Sequence, residues 1–223
     1  MTNAELAAVI QHTQLKITAS DADIAKLCAE CREFGFQAAV VHPMWADLAL
    51  DELAGCATVV CSVADFPHGA ATRPAKAAEV RDLVKRGVAE VDVVCKIGYL
   101  RSEMHDEFRD DLAAVVEAAD GAVTKVILET SILTDAELAQ AIELAIEARM
   151  DYIKTASGFN GPGATVEIIA RMAELADGRV KVKAAGGIRT RQDAEAMIGA
   201  GADCLGTSSG VAIITGEGGG KGY

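Results

Sequence analysis

The sequence predicts a (β/α)8 TIM barrel on three observations: short β-branched runs recur along it, each precedes a longer segment of 3.6-residue apolar spacing, and about eight such repeats fill its length. A chain of 223 residues holds one domain with a substantial core and is slightly short for such a barrel. VIQHT near the N-terminus is the weakest strand candidate. The other seven, FQAAVVH, TVVCSV, AEVDVVC, KVILET, DYIKTA, KVKAA and DCLGT, read directly. Near-continuous apolar strands separated by helices imply a parallel sheet covered by those helices, and eight of them favour closure over an open doubly wound sheet. No G-x-G-x-x-G follows the first strand to indicate a dinucleotide site. In the first helix, Ile24, Leu27, Cys28, Cys31 and Phe34 mark one buried stripe, and Ser20 with Asp23 forms a capping pair at its start. The same pairing recurs at Thr134 with Glu137 and at Thr190 with Asp193, each opening a helix after a strand and turn. The barrel is expected to span 1–215, with GEGGGKGY, 216–223, as a mobile tail.

Composition narrows the function classes. Lys and Arg number 21 against 33 Asp and Glu, a net charge of −12, so nucleic acid or an anionic membrane would meet a repulsive field. Small phosphorylated metabolites stay open, because local backbone amides and a few cations hold them whatever the net charge. The N-terminus has no basic region followed by an apolar run, and nothing approaches the roughly 20 apolar residues of a membrane span. A cytoplasmic protein with no membrane or nucleic-acid partner is expected. Cys28, Cys31, Cys56, Cys61, Cys95 and Cys204 sit in apolar helix or strand patterns, which fits free buried thiols. Cys28 and Cys31 form a C-x-x-C, but that spacing puts both on one helix face, and no second Cys or His pair completes a zinc set. His12, His42, His68 and His105 do not make a metal set by spacing, so neither metal nor cofactor is expected.

In such barrels functional groups gather at the C-terminal strand ends. Lys154 interrupts DYIKTASGF, Lys183 interrupts VKVKAAGGIRT on the next strand, and Asp92 interrupts EVDVV two strands before Lys154. A lysine in an apolar strand is costly to bury charged, so it needs a partner or a function. One such lysine is well explained as a snorkelling ion pair; two on adjacent strands with a carboxylate nearby suit Schiff-base chemistry better. The nucleophile must be neutral, whereas a free lysine titrates at about 10.4. Burial and a second ammonium both disfavour its charged form; Lys154 and Lys183 suit the roles of nucleophile and neighbouring cation, and Asp92 is a candidate proton shuttle through water. A second group concerns phosphate. SGF at Ser157–Phe159, AGGIR at Ala185–Arg189 and GTSSG at Gly206–Gly210 follow strands and offer close backbone approach to an anion. Any one of them also reads as an ordinary glycine turn; their convergence after the last strands is the stronger indication.

Taken in series, HTQLK, DFPHG, EVDVV, KVILETSILTD, DYIKTASGFNGPGATVE, VKAAGGIRT and GTSSGVAI resemble the 2-deoxyribose-5-phosphate aldolase family in order and spacing over nearly the whole chain. The resemblance implies a metal-free class I aldolase that reversibly cleaves 2-deoxyribose 5-phosphate to acetaldehyde and glyceraldehyde 3-phosphate. It also implies an imine on Lys154, a pKa-lowering Lys183, a proton relay through Asp92, and a phosphate at Gly158, Gly186, Gly187, Ser208 and Ser209 beside Arg189. A C-terminal tyrosine visits the active site in some members, which singles out Tyr223. Four departures stand out. Gln11 replaces an aspartate common before HT, leaving Lys183 without that anion. Lys96 stands where many members have asparagine, close enough in sequence to Asp92 to lower its pKa or to turn outward. Val40 matches a cysteine some members carry near the substrate. Asp65 and His68 replace a glycine and a small apolar residue.

Two other readings remain: a related Schiff-base aldolase with a different acceptor, and a catalytically silent sugar-phosphate-binding barrel. Dimers are common among such barrels, so a homodimer is one possible assembly, and the sequence itself does not fix the oligomeric state.

Overall fold

Residues 1–216 are described in the computed structural model, and their eight strands close into a parallel barrel in chain order. A short helix, α1 (Asn3–Ala7), precedes β1 (Ile10–Gln14), which leads to α2 (Asp21–Phe34). Next come β2 (Ala38–Val41), α3 (Ala46–Glu52), β3 (Val59–Ala64) and α4 (Arg73–Arg86). After β4 (Glu90–Val94) two helices follow, α5 (Ile97–Arg101) and α6 (His105–Ala119), before β5 (Val123–Ile127) and α7 (Asp135–Glu147). The circuit ends with β6 (Tyr152–Lys154), α8 (Val166–Ala176), β7 (Lys181–Ala185), α9 (Arg191–Gly199), β8 (Cys204–Thr207) and α10 (Gly210–Thr215). β8 pairs with β1, Gly206 opposite Gln11, and this register closes the ring.

The VIQHT segment does supply the eighth strand, and the caps expected from sequence form. Ser20 with Asp23, Thr134 with Glu137 and Thr190 with Asp193 are all reciprocal capping boxes. In α2 the predicted stripe is buried at Ile24, Leu27, Cys28 and Cys31, while Phe34 is half-buried against it. KVILET only partly enters the sheet, because Glu129 takes a left-handed conformation at φ 55° and ends the strand in a 3-10 turn. Among the described residues no helix is long and apolar enough to cross a membrane. The predicted tail beyond Gly216, with Tyr223, lies outside the described residues.

Period-two alternation divides each strand between two environments. Ala39, Val41, Val60, Val91, Val93, Val126, Ile153, Val182, Ala184 and Leu205 join the helices in one large apolar core. Burying each Val, Leu or Ile there stabilises by roughly 1.5–3 kcal/mol. The alternate positions face the barrel interior, which is itself divided. Leu15, Ala38, Val40, Cys61 and Val63 form a small apolar cluster on the β1–β3 side. Gln11, Glu90, Asp92, Lys125, Lys154 and Lys183 occupy the rest, all buried. This one-sided placement of charge inside the barrel is what positions the site.

Candidate active site

Sheet register brings the predicted residues together. Lys154 and Lys183 are paired across β6 and β7, and Asp92 is paired with Lys125 across β4 and β5. Asp92 Oδ2 accepts hydrogen bonds from Lys154 Nζ and Lys183 Nζ, each at 2.7 Å. Its Oδ1 accepts one from Lys125 Nζ at 3.1 Å, and Lys125 Nζ also lies 2.6 Å from Glu90 Oε2. Lys183 further donates to Gln11 Oε1, while Gln11 Nε2 donates to Glu90 Oε2 at 2.8 Å. A glutamine thus orients Lys183 as an aspartate would, but adds no charge.

Local structure explains why Lys154 ends its strand. Thr155 Oγ1 donates to the Ala185 carbonyl and accepts from the Ala185 amide, both at 2.9 Å, so the chain is tied to β7 where it leaves the sheet. Ser157 N then donates to Glu129 Oε1 at 2.9 Å, which holds the following loop over β5. Lys183 needs room on its other side. A Cβ at Gly206 would stand 3.1 Å from Lys183 Cε and 3.2 Å from Ala185 Cβ, so glycine on β8 lets the lysine extend across to Gln11 on β1.

Charge balance decides how this network titrates. Three amines face two carboxylates in a water-excluded space, so the cluster is neutral only when one amine has lost its proton. Burial and the neighbouring Lys183 push the Lys154 amine below its usual value against the pull of Asp92. For Asp92, burial acts to raise the pKa, yet Lys125, Lys154 and Lys183 together outweigh it and hold the carboxyl well below its ordinary range. Burial likewise opposes the charged form of Lys125, but Asp92, Cys61 and Glu90 raise its pKa well above the usual. Of the two lysines whose pKa is displaced, Lys154 is the one shifted toward the neutral form.

Above this network opens a cavity of about 220 Å³, smaller than the ~300–1,000 Å³ of drug-sized sites and suited to a compact metabolite. Lys154 reaches it; Asp92 and Lys183 lie beneath. All seven residues expected at an anion, Gly158, Gly186, Gly187, Arg189, Gly206, Ser208 and Ser209, line the same cavity. Gly158, Gly186 and Gly187 have φ of 91°, 89° and 82°, conformations that glycine adopts without strain. Gly163 approaches Gly186 so closely that a Cβ on it would fall 2.2 Å from the Gly186 carbonyl, so the β6 and β7 loops close the wall backbone to backbone.

Several expectations are corrected. Lys96 neither touches Asp92 nor turns to solvent: it is buried beside Asp65 and Asp111, on the far side of β4. Cys61 does more than pack: its Sγ lies 3.4 Å from Asp92 Oδ1, with burial and Asp92 pushing its pKa up to about 12. Cys56 is half-buried, unlike the other five thiols. Lys125 and Glu90 were missed. The signal was available, since alternation from Asp92 puts Glu90 on the inner face and alternation from Ile127 does the same for Lys125. His12 is buried and bonded through Nε2 to Glu30 at 2.8 Å, His42 Nε2 donates to the Leu15 carbonyl at 3.0 Å, and His68 is exposed.

Comparison with known proteins agrees with this geometry. The family model described as DeoC/LacD family aldolase matches residues 7–216. A deoxyribose-phosphate aldolase of Listeria welshimeri is 46% identical over 213 residues, covering 95% of this chain and 96% of that protein. The enzyme of that name from Brevibacillus brevis is 47% identical over 207 residues, covering 93% and 94%. The solved tetrameric structure of deoxyribose phosphate aldolase from Aeropyrum pernix superposes with a TM-score of 0.90 at 32% identity, over 96% of this chain and 91% of that one. With that family model spanning residues 7–216 and nearly half its residues identical to those of these enzymes, the chain belongs to the DeoC/LacD aldolase family.

Proposed function

We propose that this lyase reversibly cleaves 2-deoxyribose 5-phosphate to acetaldehyde and glyceraldehyde 3-phosphate through an imine on Lys154. The observation that carries the reading is a buried amine, biased toward neutrality, opening onto a cavity lined by glycine, serine and arginine. Neutral Lys154 attacks C1 of the open-chain sugar, and loss of water leaves an iminium. Removal of the C3 hydroxyl proton then breaks the C2–C3 bond, whose electrons pass into the iminium to give an enamine and release glyceraldehyde 3-phosphate. Protonation at C2 and hydrolysis free acetaldehyde and restore the amine. Asp92, kept ionised by its three lysines, accepts and returns protons through water, with Lys183 holding the carboxylate and disfavouring protonation of Lys154. Gly158, Gly186, Gly187, Gly206, Ser208 and Ser209 hold the phosphate with Arg189 at the mouth, which places the reacting carbonyl at Lys154. Cytoplasmic action on small sugar phosphates and aldehydes, by a homodimer, completes the reading.

Borohydride reduction with acetaldehyde, followed by peptide mapping, tests the imine directly. An ethyl adduct on Lys154 that needs both reagents is the expected result, and a folded protein without it sinks the mechanism. Comparing deoxyribose 5-phosphate with free deoxyribose tests the phosphate site, because equal rates would point to another acceptor. Lys183→Leu leaves two cations against two carboxylates, so the fold survives, but burial alone then opposes the hold of Asp92 on the Lys154 ammonium. Its activity at pH 7 is expected to fall about 100-fold and to recover partly toward pH 9 as Lys154 deprotonates. A normal rate with an unmoved acid limb would refute the role given to Lys183.

A further inference from the structure

A second buried charge cluster lies outside the barrel interior, between the ends of β3 and β4 and helices α4 and α6. Lys76 Nζ stands 2.6 Å from Asp111 Oδ2, 2.7 Å from the Val94 carbonyl oxygen and 3.1 Å from Asp65 Oδ2. Lys96 Nζ is 3.6 Å from both Asp65 Oδ2 and Asp111 Oδ1 and donates to the carbonyls of Gly69 and Ala71. Asp65 Oδ1 accepts from the Ala71 amide at 2.8 Å. Two cations and two anions therefore balance in a site where every side chain is at most 8% exposed. Lys76 and Asp111 already satisfy one another. Asp65 and Lys96 add one charge of each sign, and both bind the backbone of the loop 65–71.

That loop reaches the active site. The Phe66 ring meets Phe159 edge-on at 5.4 Å and His42 at 5.9 Å. Asn160 Nδ2 donates to the Pro67 carbonyl at 2.7 Å and also lies 3.3 Å from Glu129 Oε1. Phe159 and Asn160 belong to the β6–α8 loop, whose Ser157, Gly158, Gly161 and Gly163 form the cavity wall beside Lys154. Asp65 and Lys96 thus meet one another and bear on the wall from behind.

We propose that Asp65 and Lys96 are a positioning pair that clamps the β3–α4 loop against the β6–α8 loop and so sets how tightly the sugar phosphate is held, without entering the chemical step. The kinetic part rests on the function proposed above. Asp65 has φ 50°, which glycine tolerates, so Asp65→Gly removes the carboxylate without straining the turn. Either Asp65→Gly or Lys96→Asn leaves one buried charge uncompensated, whereas the double variant leaves the neutral Lys76–Asp111 pair.

The test compares wild type, both single variants and the double variant. Each single substitution is expected to lower Tm by roughly 6–15 °C, with most of the loss regained in the double variant. In the double variant the KM for deoxyribose 5-phosphate rises about tenfold while kcat stays within about twofold, because binding geometry is loosened and the nucleophile is not. Borohydride trapping of acetaldehyde on Lys154 is unchanged, and amide exchange quickens at 65–71 and 157–163 together. A double variant with wild-type KM and wild-type exchange overturns the proposal. So does one in which trapping and kcat collapse, since that would place the pair in the chemistry. If wild type neither cleaves nor traps, the functional reading has failed, and the exchange measurement, which needs no substrate, still decides whether the pair clamps the loops.

Discussion

Lys154→Ala is expected to remove carbon–carbon bond cleavage almost completely, by roughly 10⁴–10⁶-fold in kcat, while the protein stays folded. Both halves of that expectation come from the charge count in the barrel. Alanine deletes the amine proposed to attack the carbonyl, and no other amine replaces it, since Lys183 and Lys125 point into the network and do not line the cavity. What remains is Lys125 and Lys183 with Glu90 and Asp92, an electrically balanced set, so no buried charge is left without a counterion. Steady-state cleavage, intact mass after borohydride with acetaldehyde, and a thermal melt are the three measurements. A melt within a few degrees of wild type, no ethyl adduct and no turnover are predicted together. An adduct persisting at another lysine would reassign the nucleophile.

Asp92→Asn should have the opposite profile, harming stability as much as rate. Lys125, Lys154 and Lys183 would face Glu90 alone, with burial denying them water. Removing one partner from such a network costs about 3–5 kcal/mol, or roughly 6–20 °C in Tm for a chain of this size. Its pH dependence follows from the depressed native pKa of Asp92. The carboxylate contributes stability above its unfolded value of about 4, and that contribution is lost as pH falls through the lower folded value. The difference between wild type and Asp92→Asn is therefore largest near neutrality and shrinks in strong acid. Turnover should fall about 10²–10⁴-fold through loss of the proposed proton shuttle. Chemical denaturation of both proteins between pH 2 and pH 8 checks the convergence, and a constant difference across that range would contradict the charge assignment.

Much of this architecture was legible in the residues. Helical and strand periodicities, three S/T-x-x-E/D caps and the strand-then-helix rhythm are local properties, each set by neighbours within a few positions. They sufficed for the element order and the barrel. The two lysines and Asp92 were readable because charge inside an apolar strand is costly enough to stand out. Glu90 escaped notice because it opens β4, where a charge is easily taken for solvated surface, and Lys125 because it opens the apolar run KVILET although it is the central residue of β5.

Lys96 shows the limit most clearly. In sequence it is four residues from Asp92, yet the chain has left β4 by then and its amine is committed to Asp65 and Asp111, 31 and 15 residues away. Gln11 is a similar case: its loss of charge is visible in the sequence, but that it bridges Lys183 and Glu90 depends on barrel closure placing β1 beside β8. The sequence by itself determined which segments are strands and helices, and which residue types are available for imine chemistry. The tertiary structure alone decided which charges share a partner, because ion pairing inside a closed barrel depends on register across strands that are distant along the chain. It follows that three amines on two carboxylates, and with them the lowered pKa of Lys154, are properties of the closed barrel and of none of its strands alone.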